Sequence, residues 1–140
     1  MSLNEQQRTK LVELYLSKSD DLMVDAQICI TQKRWNAAAN RLYYALFNAV
    51  AALFVHDHFT VGTHNGVKIL FGKEYVLTGL ATSEEGKLLS QMESMRERAD
   101  YDVTFVATEE TINERAIPVA NMINHLKELI NREEPQKIKL

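Results

Sequence analysis

The 140-residue chain is 46% hydrophobic and 25% charged, with five Gly and two Pro. That is the make-up of one globular domain, and it excludes a disordered, collagenous or turn-rich β chain. Sixteen Lys and Arg against nineteen Asp and Glu leave a formal charge of −3, which argues against a dedicated DNA-binding surface while leaving room for a local basic patch. The single Cys, Cys29, excludes an intramolecular disulfide and a Cys-based zinc cluster.

Met1-Ser2-Leu3-Asn4-Glu5 has no basic stretch leading into an apolar region, so a cytoplasmic protein is expected. A first helix is predicted over about Asn4 to Ile30, with Leu11, Tyr15, Leu22, Ala26 and Cys29 on one face and Val12, Leu16, Met23 and Ile30 beside them. Thr31-Gln32-Lys33 breaks it. A second helix is predicted over about Trp35 to Val55. Trp35, Ala38, Leu42, Ala45, Ala49 and Leu53 trace its stripe, widened by Leu46, Val50 and Phe54. Its run from Ala45 to Val55 is too short to span a bilayer and reads as a helix buried in a bundle. Arg41, Tyr44 and Asn48 recur at spacings of three and four and form a polar edge.

His56 to Gly62 reads as a loop. Thr63 is the expected N-cap of a short third helix through Phe71, and a second short helical piece is expected over Lys73 to Leu77. Thr82 with Glu85 fits a capping box for a fourth helix, whose apolar stripe is Leu88, Met92, Met95 and Ala99 and which ends at Asp100-Tyr101-Asp102. A fifth helix starts near Thr108, with Glu109 and Glu110 favouring its dipole. Ile112, Ala116, Val119, Ile123, Leu126 and Ile130 form its seam, and Pro118 is expected to kink it. No strand is predicted. Residues 1–132 thus read as one all-α domain, an up-and-down bundle of four main helices plus a short extra one. Glu133 to Leu140, with Pro135, reads as a charged flexible tail.

Four patterns in this order carry a resemblance: Arg41-Leu42-Tyr43-Tyr44-Ala45-Leu46-Phe47, Thr63-His64-Asn65-Gly66-Val67 followed by Phe71, Tyr75-Val76-Leu77-Thr78-Gly79-Leu80, and Arg98-Ala99-Asp100-Tyr101-Asp102. Over roughly Ser17 to Leu129 the chain resembles the small stand-alone prokaryotic HEPN domains. The resemblance implies a helical bundle that forms a homodimer. It also implies a minimal nucleotidyltransferase as partner in a toxin–antitoxin module. In many such domains it implies metal-independent RNA cleavage, in which a 2′-hydroxyl attacks the adjacent phosphate. That chemistry rests on an Arg followed, after four to six residues, by a His: the His moves the proton and the Arg stabilises the phosphate charge.

This spacing is missing here. Counting on from Arg96 reaches Tyr101, Asp102 or Val103. Arg98 leads to Val103, Thr104 or Phe105, and Arg41 to Leu46, Phe47 or Asn48. A Tyr, with an ordinary pKa of about 10, is a poor base at neutral pH.

The candidate binding or polar cluster is Arg41, Tyr44, Asn48, Arg96, Arg98, Asp100 and Tyr101, with His64 as a secondary candidate. Arg41, Tyr44 and Asn48 form either a ligand-facing edge or a buried network, with the Arg paired to an acid such as Asp100. Arg96, Arg98, Asp100 and Tyr101 either line an RNA or nucleotide pocket or cap a helix C-terminus. Arg41, Tyr44, Arg96, Arg98, Asp100 and Tyr101 are expected to gather in one place. His56, Asp57, His58 and His64 match no compact metal-ligand spacing, and nothing in the sequence calls for a metal or cofactor. Three functions remain open: a non-catalytic dimeric module that binds a nucleotidyltransferase, RNA or a nucleotide; an endoribonuclease toxin with an altered site using Arg96 or Arg98 with Tyr101 or His64; and a purely structural dimerisation module.

Overall fold

Asn4 opens the first helix, α1 (Glu5–Thr31), through a capping box: its side chain accepts the Gln7 N–H at 2.8 Å, and the Gln7 side chain accepts the Asn4 N–H at 3.0 Å. The computed structural model describes residues 2–132, so the expected tail over Glu133 to Leu140 lies outside the described residues. α1 stops without a Gly. Lys33 takes a left-handed conformation (φ 59°), and the Arg34 N–H closes on the Cys29 carbonyl at 2.8 Å. This is the turn that usually recruits Gly. It folds α2 (Trp35–His56) straight back along α1.

α2 is the centre of the bundle. Ala38, Ala39, Ala45, Ala49, Ala51 and Ala52 are buried with Leu42, Leu46, Val50 and Phe54, and α1, α4 and α5 all pack against it. Small side chains let these neighbours approach closely, so the apolar surface is covered. By length and composition α2 could cross a membrane, yet most of it is buried inside the bundle. Ser19 is a polar residue fully enclosed in this packing; its hydroxyl donates to the Ala45 carbonyl at 2.7 Å, which satisfies it.

Thr63 caps α3 (His64–Phe71), and a wide π-turn over Gly72–Val76 continues it, closed by the Leu77 N–H on the Gly72 carbonyl at 2.9 Å. The second helical piece expected beyond Phe71 is therefore this turn. Thr82 and Glu85 form the capping box of α4 (Ser83–Tyr101), and Thr108 caps α5 (Glu109–Ile130), which runs unbroken through Pro118. No strand occurs among the described residues. Asn36 fixes the connection from α4 to α5: its amide donates to the Phe105 carbonyl at 3.3 Å and accepts the Ala107 N–H at 2.7 Å.

One end of the bundle is tied by Asp57, which follows α2. Its carboxylate accepts from the Tyr75 hydroxyl at 2.7 Å and from Arg132 at 2.8 Å, and lies 2.7 Å from His56 Nδ1. Burial pushes this carboxyl up, but the bonds from Tyr75, Arg132 and His56 outweigh it and hold the group below the ordinary range.

Leu46 is completely buried on the helix that α1, α4 and α5 all pack against. Leu46→Ala is expected to lower unfolding free energy by about 2–5 kcal/mol, read from urea denaturation with an unchanged slope. A loss below 0.5 kcal/mol is the outcome that would contradict this packing.

Candidate functional site

The polar groups of α2, α3 and α4 meet where the α2 residues Asn40, Tyr43, Tyr44 and Phe47 face Arg96 and Asp100 of α4. Spacings of three, one and three put these four α2 residues on one helix face. Arg96 is 5% exposed. Its guanidinium carbon lies 5.2 Å from the Tyr43 ring centroid and 5.5 Å from that of Tyr44, a cation–π arrangement strengthened by exclusion of water. The Arg96 Nε is buried with no hydrogen-bond partner. Its nearest carboxylate, Asp100 one turn on, stands 3.8 Å from Nη1, beyond hydrogen-bonding distance. Asn40 holds that carboxylate, donating to its two oxygens at 3.0 and 3.3 Å.

α3 brings the imidazole. His64 is the first residue after the Thr63 cap, and its Nδ1 is 2.6 Å from the Tyr43 hydroxyl. Its ring lies 5.0 Å from Phe47, 5.5 Å from Tyr43 and 6.0 Å from Tyr44. One turn on, Lys68 pairs with Glu93 of α4 at 3.0 Å and fastens α3 across the site. Burial, joined by the charge of Glu93, drives the Tyr43 hydroxyl well above its ordinary pKa, so it stays a neutral phenol. Burial also lowers His64, helped by the positive charge of Arg96 and opposed by Glu93 and Glu97.

Of the residues singled out from sequence, the fold brings Tyr44, Arg96, Asp100 and His64 together. Arg41 sits at the margin: it donates to the Asn40 side chain at 2.6 Å and approaches Asp25 of α1 at 4.0 Å, so the partner of Asp100 is Asn40 rather than Arg41. Asn48 bonds back to the Tyr44 carbonyl at 2.7 Å within its own helix. Arg98 turns away and lies over Phe105, 4.4 Å from the ring centroid, and Tyr101 is 76% exposed. Sequence reasoning did not single out Tyr43, Asn40 or Phe47 as site residues. The signal for them was the stripe 40, 43, 44, 47, which overlaps the polar edge 41, 44, 48 only at Tyr44. Among the described residues no group of three or more His, Cys, Asp or Glu is placed to hold a metal ion.

The geometry of His64 fixes a pH dependence. A lowered folded pKa means that the unfolded chain takes the proton first. The stability tied to neutral His64 is therefore complete above about pH 6.5 and drains as pH falls through the folded value. An NMR titration of the His64 ring is expected to show a midpoint below 6.5, and His64→Gln to flatten the acid-side loss of urea stability. A midpoint at or above 6.5 would remove this contribution.

The HEPN domain family model matches residues 12–130. A protein named "UPF0332 protein" from Thermotoga maritima is 29% identical over 124 residues, covering 89% of this chain and 94% of the relative. Two chains from Methanocaldococcus jannaschii carry the names "Putative toxin MJ0605" and "Putative toxin MJ0142". The first is 28% identical over 122 residues, covering 85% of this chain and 91% of its own length. The second is 26% identical over 93 residues, covering 66% and 63%. The family match takes in the bundle from the first buried turn of α1 to the end of α5, and the chain belongs to the HEPN domain family.

Proposed function

We propose that this HEPN chain is a binding module of a toxin–antitoxin pair: a cytoplasmic homodimer that engages RNA or a nucleotide at Arg96 and takes a nucleotidyltransferase as its protein partner. The toxin names of two relatives support the setting. The observation that carries the binding reading is Arg96 itself, a nearly buried guanidinium stacked on two tyrosines with its Nε unpartnered. A guanidinium has five donors in a planar fork that suits phosphate. The loose 3.8 Å contact with Asp100 leaves those donors short of acceptors. Tyr44 and Phe47, both half-buried beside it, offer aromatic faces for a base.

The 2.6 Å bond between Tyr43 and His64 favours binding over cutting. Tyr43 is held neutral, so its hydroxyl proton is available to Nδ1. An imidazole that accepts there carries its own proton on Nε2, where it donates to a phosphate oxygen but cannot take a proton from a 2′-hydroxyl. One observation favours the second reading, an endoribonuclease with an altered site. The fold sets an imidazole and Arg96 against the same two tyrosine rings although 32 residues separate them in sequence. In the opposite tautomer Nδ1 donates to Tyr43, and Nε2 becomes a base.

Fluorescence anisotropy with a labelled single-stranded RNA, read beside gel analysis of the same RNA, separates these readings. The expected result is salt-sensitive binding without cleavage, weakened about tenfold or more by Arg96→Gln with the circular dichroism spectrum retained. Cleavage abolished by His64→Gln would replace binding with catalysis. Neither binding nor cleavage would leave the cluster structural.

A further inference from the structure

α4 and α5 run antiparallel and both pack on α2, but they scarcely touch each other. The seam between them stays open as two adjoining cavities of about 500 and 380 Å³ that share Gln91 and Arg115. The floor is apolar: Leu88, Met95, Met122 and Pro118. Val106 on the wall is 71% exposed. Along this seam stand Lys87, Arg98 and Arg115, none of which makes an ion pair among the described residues. The Arg115 Nε is buried with no hydrogen-bond partner. Of the two acids at the far end, Glu85 is committed to His125 at 2.7 Å and to the α4 cap, and Glu84 to Ser83 at 3.2 Å.

We infer that the α4–α5 groove docks an acidic amphipathic helix of a partner protein. From Glu84 to Arg98 the groove follows about 21 Å of α4, the length of a four-turn helix. Apolar residues at i, i+3 or i+4 and i+7 of the incoming helix would fill the floor. Carboxylates flanking that stripe would meet Lys87, Arg115 and Arg98, and one of them would supply the acceptor the Arg115 Nε lacks. The chain as a whole carries a formal charge of −3, whereas along this seam Lys87, Arg98 and Arg115 outnumber Glu84 and Glu85, a local surplus of positive charge suited to an acidic partner. The Leu and Met floor offers a phosphate backbone nothing, which separates this surface from the Arg96 site. The inference does not depend on that site binding RNA.

The methionine methyls report the groove directly. Met95 and Met122 line it, whereas Met23 lies on α1. The probe is a synthetic 14-residue helical peptide with Leu at positions 1, 4, 8 and 11 and Glu flanking them, with a control in which every Glu is Lys. The full chain, labelled at Met methyls, is titrated with each peptide by NMR. The acidic peptide is expected to shift Met95 and Met122 and leave Met23 in place. The lysine peptide is expected to shift none of the three. Arg98→Gln with Arg115→Gln is expected to weaken the acidic peptide about tenfold. No shift at about 1 mM acidic peptide overturns the inference, as does equal binding of the lysine peptide. The same shifts produced by a ten-nucleotide oligouridylate assign the groove to nucleic acid instead. The same shifts produced by raising the protein concentration alone assign it to a second copy of this chain.

Discussion

A helix with thirteen buried residues out of twenty-two cannot be covered by one neighbour. An ordinary surface helix hides a single stripe, whereas α2 needs cover from several directions and receives it from α1, α4 and α5. The order of the other helices follows from this need. α1 is folded back on α2 by the tight turn at Lys33. α4 and α5 take the remaining sides, and because each is shaped to α2, the seam between them is left unfilled.

The same burial decides where polar chemistry sits. A polar side chain on α2 either finds a partner on another helix or costs about 1–3 kcal/mol. Tyr43 meets His64, and Asn40 meets Asp100. Past the end of α2, Asp57 gathers Tyr75 and Arg132. The short α3 segment serves both places, with His64 at its start and Tyr75 in the turn that extends it. Val67 and Phe71, both buried, anchor the segment in the core between them. α3 and the turn behind it thus physically connect the Arg96 site to the tie at Asp57.

Local signals in the sequence were enough for most of the fold. Thr82 with Glu85, Thr108 and Thr63 each announced a helix start that the structure places at the same residue. The 3.6-residue stripes of α1, α2 and α5 found their buried faces. What was not legible depended on contacts between distant segments. The partner of Arg41 is Asp25 on α1, not Asp100, because α1 lies along that side of α2. Tyr43 read as one aromatic in a run of apolar residues, and only the approach of α3 and α4 shows that its hydroxyl and ring face have separate partners. Arg98 and Tyr101 followed Arg96 closely in sequence but leave the site, since steps of two and five residues on a helix point side chains about 200° and 140° away. The ends of α1 and α2 were legible at Thr31 and His56, but the left-handed conformations of Lys33 and His58 that turn the chain there were not, because Gly would normally signal them.

The π-turn at Gly72–Val76 is a matter of register as much as of shape. It holds one residue more than an α-helical turn between the Gly72 carbonyl and its N–H partner at Leu77. A chain lacking one residue in this stretch would close as ordinary α-helix, and everything after the deletion would swing by about 100° around the axis. Tyr75 stacks between Phe54 and Phe71 while its hydroxyl reaches Asp57, and both relations need the present angle. The wide turn thus works as a phase shifter between two helical segments. In related chains, a gain or loss of one residue here should travel together with changes at Asp57 and Arg132, even though 56 residues separate Arg132 from the turn's last residue, Val76.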